Sequence, residues 1–445
     1  MKRFMSMVLA ALMALSMFTG CGGSTTDSSV KKSDSGNDVP TVEKSDSGNS
    51  TPIEITYCYW GGAVDAKARG EIADLFNASQ DEIFVKKIPI DNADYVTKIQ
   101  AYFAAGNEPD VIQSSADYGD VYVSAGKIAD LSSYVEQAGL TNYFPERLVD
   151  DYTYDGKIYA VPFSFNTFVI SYNKRIFDEN NVPYPTNDWT EEDFVNAAKK
   201  LTYGEGVDKV WGVYQGWSVP TLMANLYGTS IFDIENMKLH AADNPAFVDA
   251  FHFMANLIDI GVAPDAEQAA AAGGGLTTGK FAMELSMGVA DLYNYNTMME
   301  DEIGLVQFPV NDEYGRWQSP VSNVGFYISE TSQKKDAAWK FIEWVCKSRE
   351  AQEIIEVVSL PACKDLVNDE TYLSEYPDGY DPYDKALCLD FSNVCAWPLT
   401  AGVWAKLMNE LQSQWELVLN REKTVDQAIQ DFQSLGDQVL AKESK

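Results

Sequence analysis

From Ile53 onward the chain alternates short apolar, β-branched runs with stretches of helical spacing, and this alternation limits the folds open to it. Ile53–Tyr59 has strand character, and Asp65–Phe76 follows with helical spacing. Ile83–Ile90 reads as a strand, and Tyr95–Ala105 as a helix with Val96, Ile99 and Phe103 on one face. Pro109-Asp110-Val111-Ile112 then enters a polar loop. Strand–helix units of this length predict a parallel sheet with right-handed crossovers.

A second series begins at Phe168–Tyr172. Thr190 is the predicted cap of a helix carrying Phe194, Ala198 and Leu201, with Glu191, Glu192 and Asp193 in its first turn. Trp211–Tyr214 reads as another strand. Asn244-Pro245 opens a helix with Phe247, Phe251, Met254 and Ile258 on one side, which Gly261 stops. The last third is largely helical, ending in Thr424–Lys442 with a Thr424…Gln427 capping box. There is no internal repeat. A body of this length exceeds one typical core, so the expectation is two α/β lobes and a helical C-terminal tail.

The N-terminus belongs to neither lobe. Lys2 and Arg3 precede an apolar run from Phe4 to Phe18, too short for a spanning helix of ~20 residues. A basic start, a short apolar stretch and small residues describe a secretory signal peptide at 1–20. Phe18-Thr19-Gly20-Cys21 resembles the lipoprotein box, with Phe where Leu is usual, which implies acylation of Cys21. Residues 21–52 are almost all Gly, Ser, Thr, Asp, Lys, Asn and Val, a composition that buries no core and reads as a tether. Its mean reach is on the order of 30 Å, from about 5–6 Å times the square root of its length.

Charge and residue usage exclude several functions. With 66 acidic against 33 basic residues and no long basic run, nucleic acid is not an expected partner. Two histidines, His240 and His252, supply neither a His-based triad nor a zinc enzyme, and His252 between Phe251 and Phe253 reads as packed. No Walker, G-x-S-x-G or dinucleotide motif stands in a strand-to-helix context. Gly273-Gly274-Gly275 reads as a flexible turn. Carboxylates are numerous enough for a chance glycosidase pair, so a secreted carbohydrate-active enzyme stays as the minor alternative. No catalytic residue, cofactor or metal is expected, and the acidic loop 365–384 reads as solvated. Besides Cys21 there are Cys58, Cys346, Cys363, Cys388 and Cys395, an odd set of which Cys388 and Cys395 form the favoured pair.

Aromatics and amides cluster at strand ends. Trp60 ends the first strand, and Asp117 and Tyr118 follow Val111-Ile112. Phe163 and Asn166 follow Ala160-Val161-Pro162, and Gln215 and Trp217 follow Val213-Tyr214. Ligands of open α/β sheets bind beyond the carboxyl ends of strands. Flat aromatic faces beside amide and carboxylate acceptors suit a polyhydroxylated ring.

Asp155-Gly156-Lys157-Ile158-Tyr159-Ala160-Val161-Pro162, Tyr172-Asn173-Lys174-Arg175-Ile176-Phe177 and Trp189-Thr190-Glu191-Glu192-Asp193-Phe194 together resemble the core signature of the family 1 extracellular solute-binding proteins, the maltose-binding type. Gly279-Lys280-Phe281-Ala282-Met283, Ala337-Ala338-Trp339-Lys340-Phe341-Ile342 and Lys423-Thr424-Val425-Asp426-Gln427-Ala428 extend the match in order from about 53 to 440. The resemblance implies a two-lobed periplasmic-binding-protein-like fold of type II. Residues 53–162 and 309–348 would form one lobe, and 163–308 and 349–445 the other, hinged at Ala160-Val161-Pro162. It implies a monomeric substrate-binding lipoprotein of an ABC importer on the outer face of the cytoplasmic membrane. That protein would close on a sugar or oligosaccharide and dock on permease subunits. Residue by residue it assigns Asp117 to sugar hydroxyls and Trp404, with Trp397 nearby, to stacking; Glu284, Ser286 and Asn323 join the expected site. The Trp often found shortly after Ala282-Met283 is missing, which leaves the sugar open. Asp117 and Glu284 would also suit an amino sugar, a polyol or a polyamine.

Overall fold

The computed structural model describes residues 51–443, apart from 217–218, 229, 234–235, 377–383 and 396–400. The expected signal segment, Cys21 and nearly all of the tether lie outside the described residues, as do Trp217 and Trp397. Among the described residues no helix is long and apolar enough to cross a membrane.

The strand–helix alternation forms as read. Strands β1 (Ile53–Trp60), β2 (Ile83–Ile90) and β3 (Val111–Ser115) are parallel, with β1 between the other two. The crossover helix Ala63–Ser79 buries Ile72, Ala73 and Phe76 on the sheet. Its entry turn needs glycine at 61, where an added Cβ would stand 2.4 Å from Asp65 Cβ. The remaining strands that build sheets with these are β4 (Ala160–Thr167), β5 (Val169–Asn173), β6 (Trp211–Tyr214), β7 (Phe281–Ser286), β8 (Ile303–Val306), β9 (Ser319–Ile328), β10 (Leu360–Pro361) and β11 (Val394–Cys395).

The larger sheet has the order β10-β4-β9-β3-β1-β2, with β11 beside β9; the smaller is β8-β5-β7-β6. Neither is wholly parallel. β9 returns from the smaller sheet and so runs antiparallel to both β3 and β4, while β5 is antiparallel to β7 and β8. The chain leaves the larger sheet at Thr167 and enters the smaller at Val169, with only Phe168 between. It returns between Val306 and Ser319, then crosses a third time between Cys395 and the helix Ala401–Leu419. That helix buries Leu407, Leu411 and Trp415 in the second core, beside Ile170, Phe251 and Met283.

Two boundaries differ from expectation. β4 runs through the 162/163 boundary to Thr167, and all of its residues are buried. Residues 349–395 were expected with the second lobe. They instead add β10 and β11 to the larger sheet and bury Ala351, Ile355 and Leu360 in its core. The cause is β4, buried over both faces, whose outer edge would be unpaired without Leu360 against Phe165.

Local signals hold. Thr190 and Asp193 form a reciprocal capping box, and Asn244 caps Pro245–Asp259 through the Phe247 amide. Asp369 and Asp384 of the acidic loop cap the helices that follow them. His252 is a correction: it faces out and pairs with Asp426 at 2.8 Å, because the buried face of its helix runs through Phe247, Phe251, Met254 and Ile258 and leaves position 252 outside it. The five described cysteines are free thiols. Cys388 faces Gly288 while Cys395 lies in β11 against Pro320, so the favoured pair does not form.

Candidate ligand-binding site

β1, β3 and β4 end along one edge of the larger sheet, since β1 parallels β3, and β3 and β4 both oppose β9. β6 and β7 are parallel and end along one edge of the smaller sheet, where β5 begins. With Phe168 alone joining β4 to β5, the two edges adjoin. This is the crevice position of ligands in open α/β sheets.

The larger sheet's edge is aromatic. Trp60 is half-buried; Tyr95 meets its ring edge-on at 5.2 Å, and the Arg69 guanidinium lies 4.9 Å from its centroid. Arg69 is 3% exposed and reaches Asp65 at 3.2 Å, one helical turn earlier. Asp117 and Tyr118 lie in the short turn Ala116–Tyr118. Ser115 Oγ donates to Asp117, and Tyr118 stacks on Tyr122 at 6.2 Å and 19°. Burial, with the Asp117 carboxylate adding to it, pushes the Tyr118 hydroxyl up from its ordinary pKa. The helix Ala401–Leu419, which carries Trp404, comes alongside this turn; the Trp404 side chain lies outside the described residues. Asn166 Nδ2 donates to Ser359 Oγ at 3.2 Å and Val358 O at 3.3 Å, and its buried Oδ1 has no partner.

The smaller sheet's edge is polar. Gln215 Nε2 donates to Met254 O at 2.7 Å, and Oε1 is left buried without a partner. Ser286 Oγ shares a hydrogen with Ser171 Oγ at 2.6 Å. Glu284 accepts from the Leu276 amide at 2.7 Å. Burial raises its pKa to about 7, the Leu276 amide opposes the rise, and Asp291 adds to it. Asp291, also raised by burial, accepts from the Met287 amide at 2.7 Å.

Asn166, Gln215 and Ser286 are buried where they stand, and Phe163 and Asn323 are enclosed as well. Phe163 is 0% exposed in the core, 4.7 Å from Phe326. Asn323 is buried and donates to Leu148 O at 2.8 Å and Asp151 Oδ2 at 3.1 Å. Both alternate onto the inner face of their strands. Two residues at the edges went unread in the sequence. One is Arg69, signalled only by its i,i+4 spacing from Asp65. The other is Tyr214, half-buried at the end of β6 and 4.9 Å from Phe281. Gly273-Gly274-Gly275, expected as a flexible turn, is folded onto these groups. An added Cβ at Gly274, φ +64°, would stand 3.0 Å from the Tyr214 hydroxyl. Among the described residues no group of three or more His, Cys, Asp or Glu is placed to hold a metal.

Two sheets whose edges adjoin, one aromatic and one polar, have the layout in which open α/β folds hold ligands. The family model described as bacterial extracellular solute-binding protein matches residues 71–378, and the chain belongs to that family. An ABC substrate-binding protein from Listeria monocytogenes, solved in complex with cycloalternan, is 27% identical. It superposes with a TM-score of 0.75 over 88% of this chain and 99% of that one. The maltose/maltodextrin-binding domain from Bdellovibrio bacteriovorus, bound to maltotriose, is 18% identical with a TM-score of 0.69, covering 87% of this chain and 99% of that one. The fold is thus that of the two-lobed binding proteins. A maltotriose-binding protein from Pyrococcus abyssi is 23% identical over 300 residues, which is 64% of this chain and 61% of that protein.

Proposed function

We propose that the protein captures a sugar or oligosaccharide where the two sheet edges adjoin and hands it to the membrane permease of an ABC importer. Trp60 carries the reading: a half-buried indole held by Arg69 and Tyr95 at the carboxyl edge of β1. An aromatic surface kept at a crevice favours the apolar C–H face of a sugar ring. Asp117, Asn166 and Gln215 would bond hydroxyls there; Asn166 Oδ1 and Gln215 Oε1 are buried acceptors without a partner, which support the reading once a ligand uncovers them. Trp404 would supply a second stacking face, with Trp217 and Trp397 as further candidates. The relatives in complex with cycloalternan and maltotriose support an α-glucan-type ligand.

Binding would close the lobes about the crossings at Phe168 and 306–319, and the closed form would dock on the permease. Acylated Cys21 and the 21–52 tether would hold a monomeric body at the outer face of the membrane; no catalytic step is assigned. Titration calorimetry of maltotriose and cycloalternan on the mature protein, with product analysis, tests this. Saturable binding without turnover is expected. Hydrolysis of either sugar, or no binding of any oligosaccharide in a panel, would overturn it. A Cys21→Ala variant that is fully cleaved yet still retained by membranes would remove the anchor.

A further inference from the structure

The short helix Lys385–Cys388 and the strand that follows it sit where the crossings between sheets meet. From the first crossing, Thr167 Oγ1 donates to Cys388 O at 2.9 Å. From the second, Gln307 Nε2 donates to Leu387 O at 2.9 Å. Ser319 ties the two together, its Oγ accepting from the Phe168 amide at 2.7 Å and its amide donating to Asn393 O at 2.9 Å. Two successive carbonyls of one helical turn therefore each receive a hydrogen bond from a different crossing.

What fixes that turn is a buried charge. Lys385 is 1% exposed, with Nζ 2.5 Å from Glu356 Oε1, 2.9 Å from Tyr372 O and 3.9 Å from the Tyr372 ring centroid. The Tyr376 ring centroid lies 5.2 Å from the same nitrogen. Glu356 is 4% exposed, in the turn Ile355–Val357 that packs on the second-lobe helix Val289–Met298. A buried ion pair is a poor way to gain stability, because desolvation of both charges offsets their attraction. It does admit only one geometry, since displacing either partner strands a charge in a low dielectric.

From this we infer that the Lys385–Glu356 pair is the fixed post of the inter-lobe hinge, positioning the Leu387 and Cys388 carbonyls on which both crossings bear as the lobes move. The inference rests on the reading that the lobes close on a ligand. Its test uses the mature protein with Lys385→Met and Glu356→Gln together, which removes both charges and leaves neither unpaired. The exposed pair Lys87–Asp74, changed to Met and Asn, is the control. Hydrogen exchange at Phe168, Ser319 and residues 385–395, the scattering radius with and without maltotriose, and calorimetric affinity are read on each.

The double variant is expected to stay cooperatively folded and to exchange faster at the crossings. Its affinity should fall by about ten-fold and its compaction with ligand should be incomplete, because the closed state is less favoured. The control should do none of this. Wild-type exchange at the crossings in the double variant overturns the post. So does uniformly faster exchange across the larger lobe with unchanged affinity, which would be lost stability alone. If the wild type binds no oligosaccharide, the ligand reading fails on its own. Exchange at the crossings in the unliganded protein then still decides for or against the post.

Discussion

The two sheet edges that adjoin at Phe168 are built on opposite plans. At the larger sheet, Trp60 and Tyr118 are held by other side chains through ring contacts, with Arg69 and Tyr95 on one and Tyr122 beneath the other. At the smaller sheet, Gln215, Glu284 and Ser286 are each already committed, to Met254 O, the Leu276 amide and Ser171 Oγ. An aromatic face can take a ligand without giving anything up. A committed polar group must exchange an internal hydrogen bond for one to the ligand, and the net gain is small. The aromatic edge should therefore carry affinity, and the polar edge should select among ligands of similar shape.

The largest expected effect marks where the aromatic edge ends. Phe163→Ala should lower stability by ~3–5 kcal/mol, as for any enclosed phenylalanine, with ligand affinity unchanged in the protein that remains folded. Denaturant unfolding and calorimetry check this, and a stable variant with lost affinity would bring Phe163 back into the site.

Next comes the polar edge's pH dependence. Glu284 is raised above the ordinary carboxylate range, so the folded state prefers its protonated form. The stability this confers is complete below about pH 4.5 and is lost as pH rises through about 7. The loss is on the order of 3 kcal/mol, and Glu284→Gln should flatten the slope between those limits. Unfolding curves for both proteins at pH 5 and pH 8 measure it; parallel curves would mean that Glu284 is solvated.

Trp60→Ala should weaken oligosaccharide binding by at least ~10-fold, about 1.4 kcal/mol. Normal affinity in the folded variant would move the stacking to Trp404. The smallest effect is expected of Ser286→Ala. It removes one partner of a neutral buried pair and should cost ~0.5–1.5 kcal/mol of stability. Binding should shift by no more than a few-fold, with preference among sugars altered more than strength. A loss as large as that of Trp60→Ala would show the two edges to be equal contributors.

Much of the fold was legible because its signals are local. The box Thr190…Asp193, the Asn244-Pro245 start and the alternation in Ile53–Tyr59 depend only on near neighbours along the chain, and each appears where read. The site was legible in part. Trp60 and Phe163 look alike in sequence, each an aromatic near the end of an apolar strand, yet one is half-buried at the edge and the other lies in the core. Which face of a strand is covered depends on what packs there, and for Phe163 that is Phe326, far along the chain.

The sequence by itself determined the element types, the division into two α/β parts and the family signature. The first two follow from hydrophobic period and short-range capping chemistry, and the third from the resemblance of its motifs. Tertiary structure alone decided that residues 349–395 return to the first lobe, that β9 runs antiparallel between β3 and β4, and that Cys388 and Cys395 stay apart. It also decided that Lys385 is buried against Glu356. Each of these turns on which distant segment comes to cover an apolar edge or a charge. That choice is made by packing and desolvation across the whole molecule, and no window along the chain contains it.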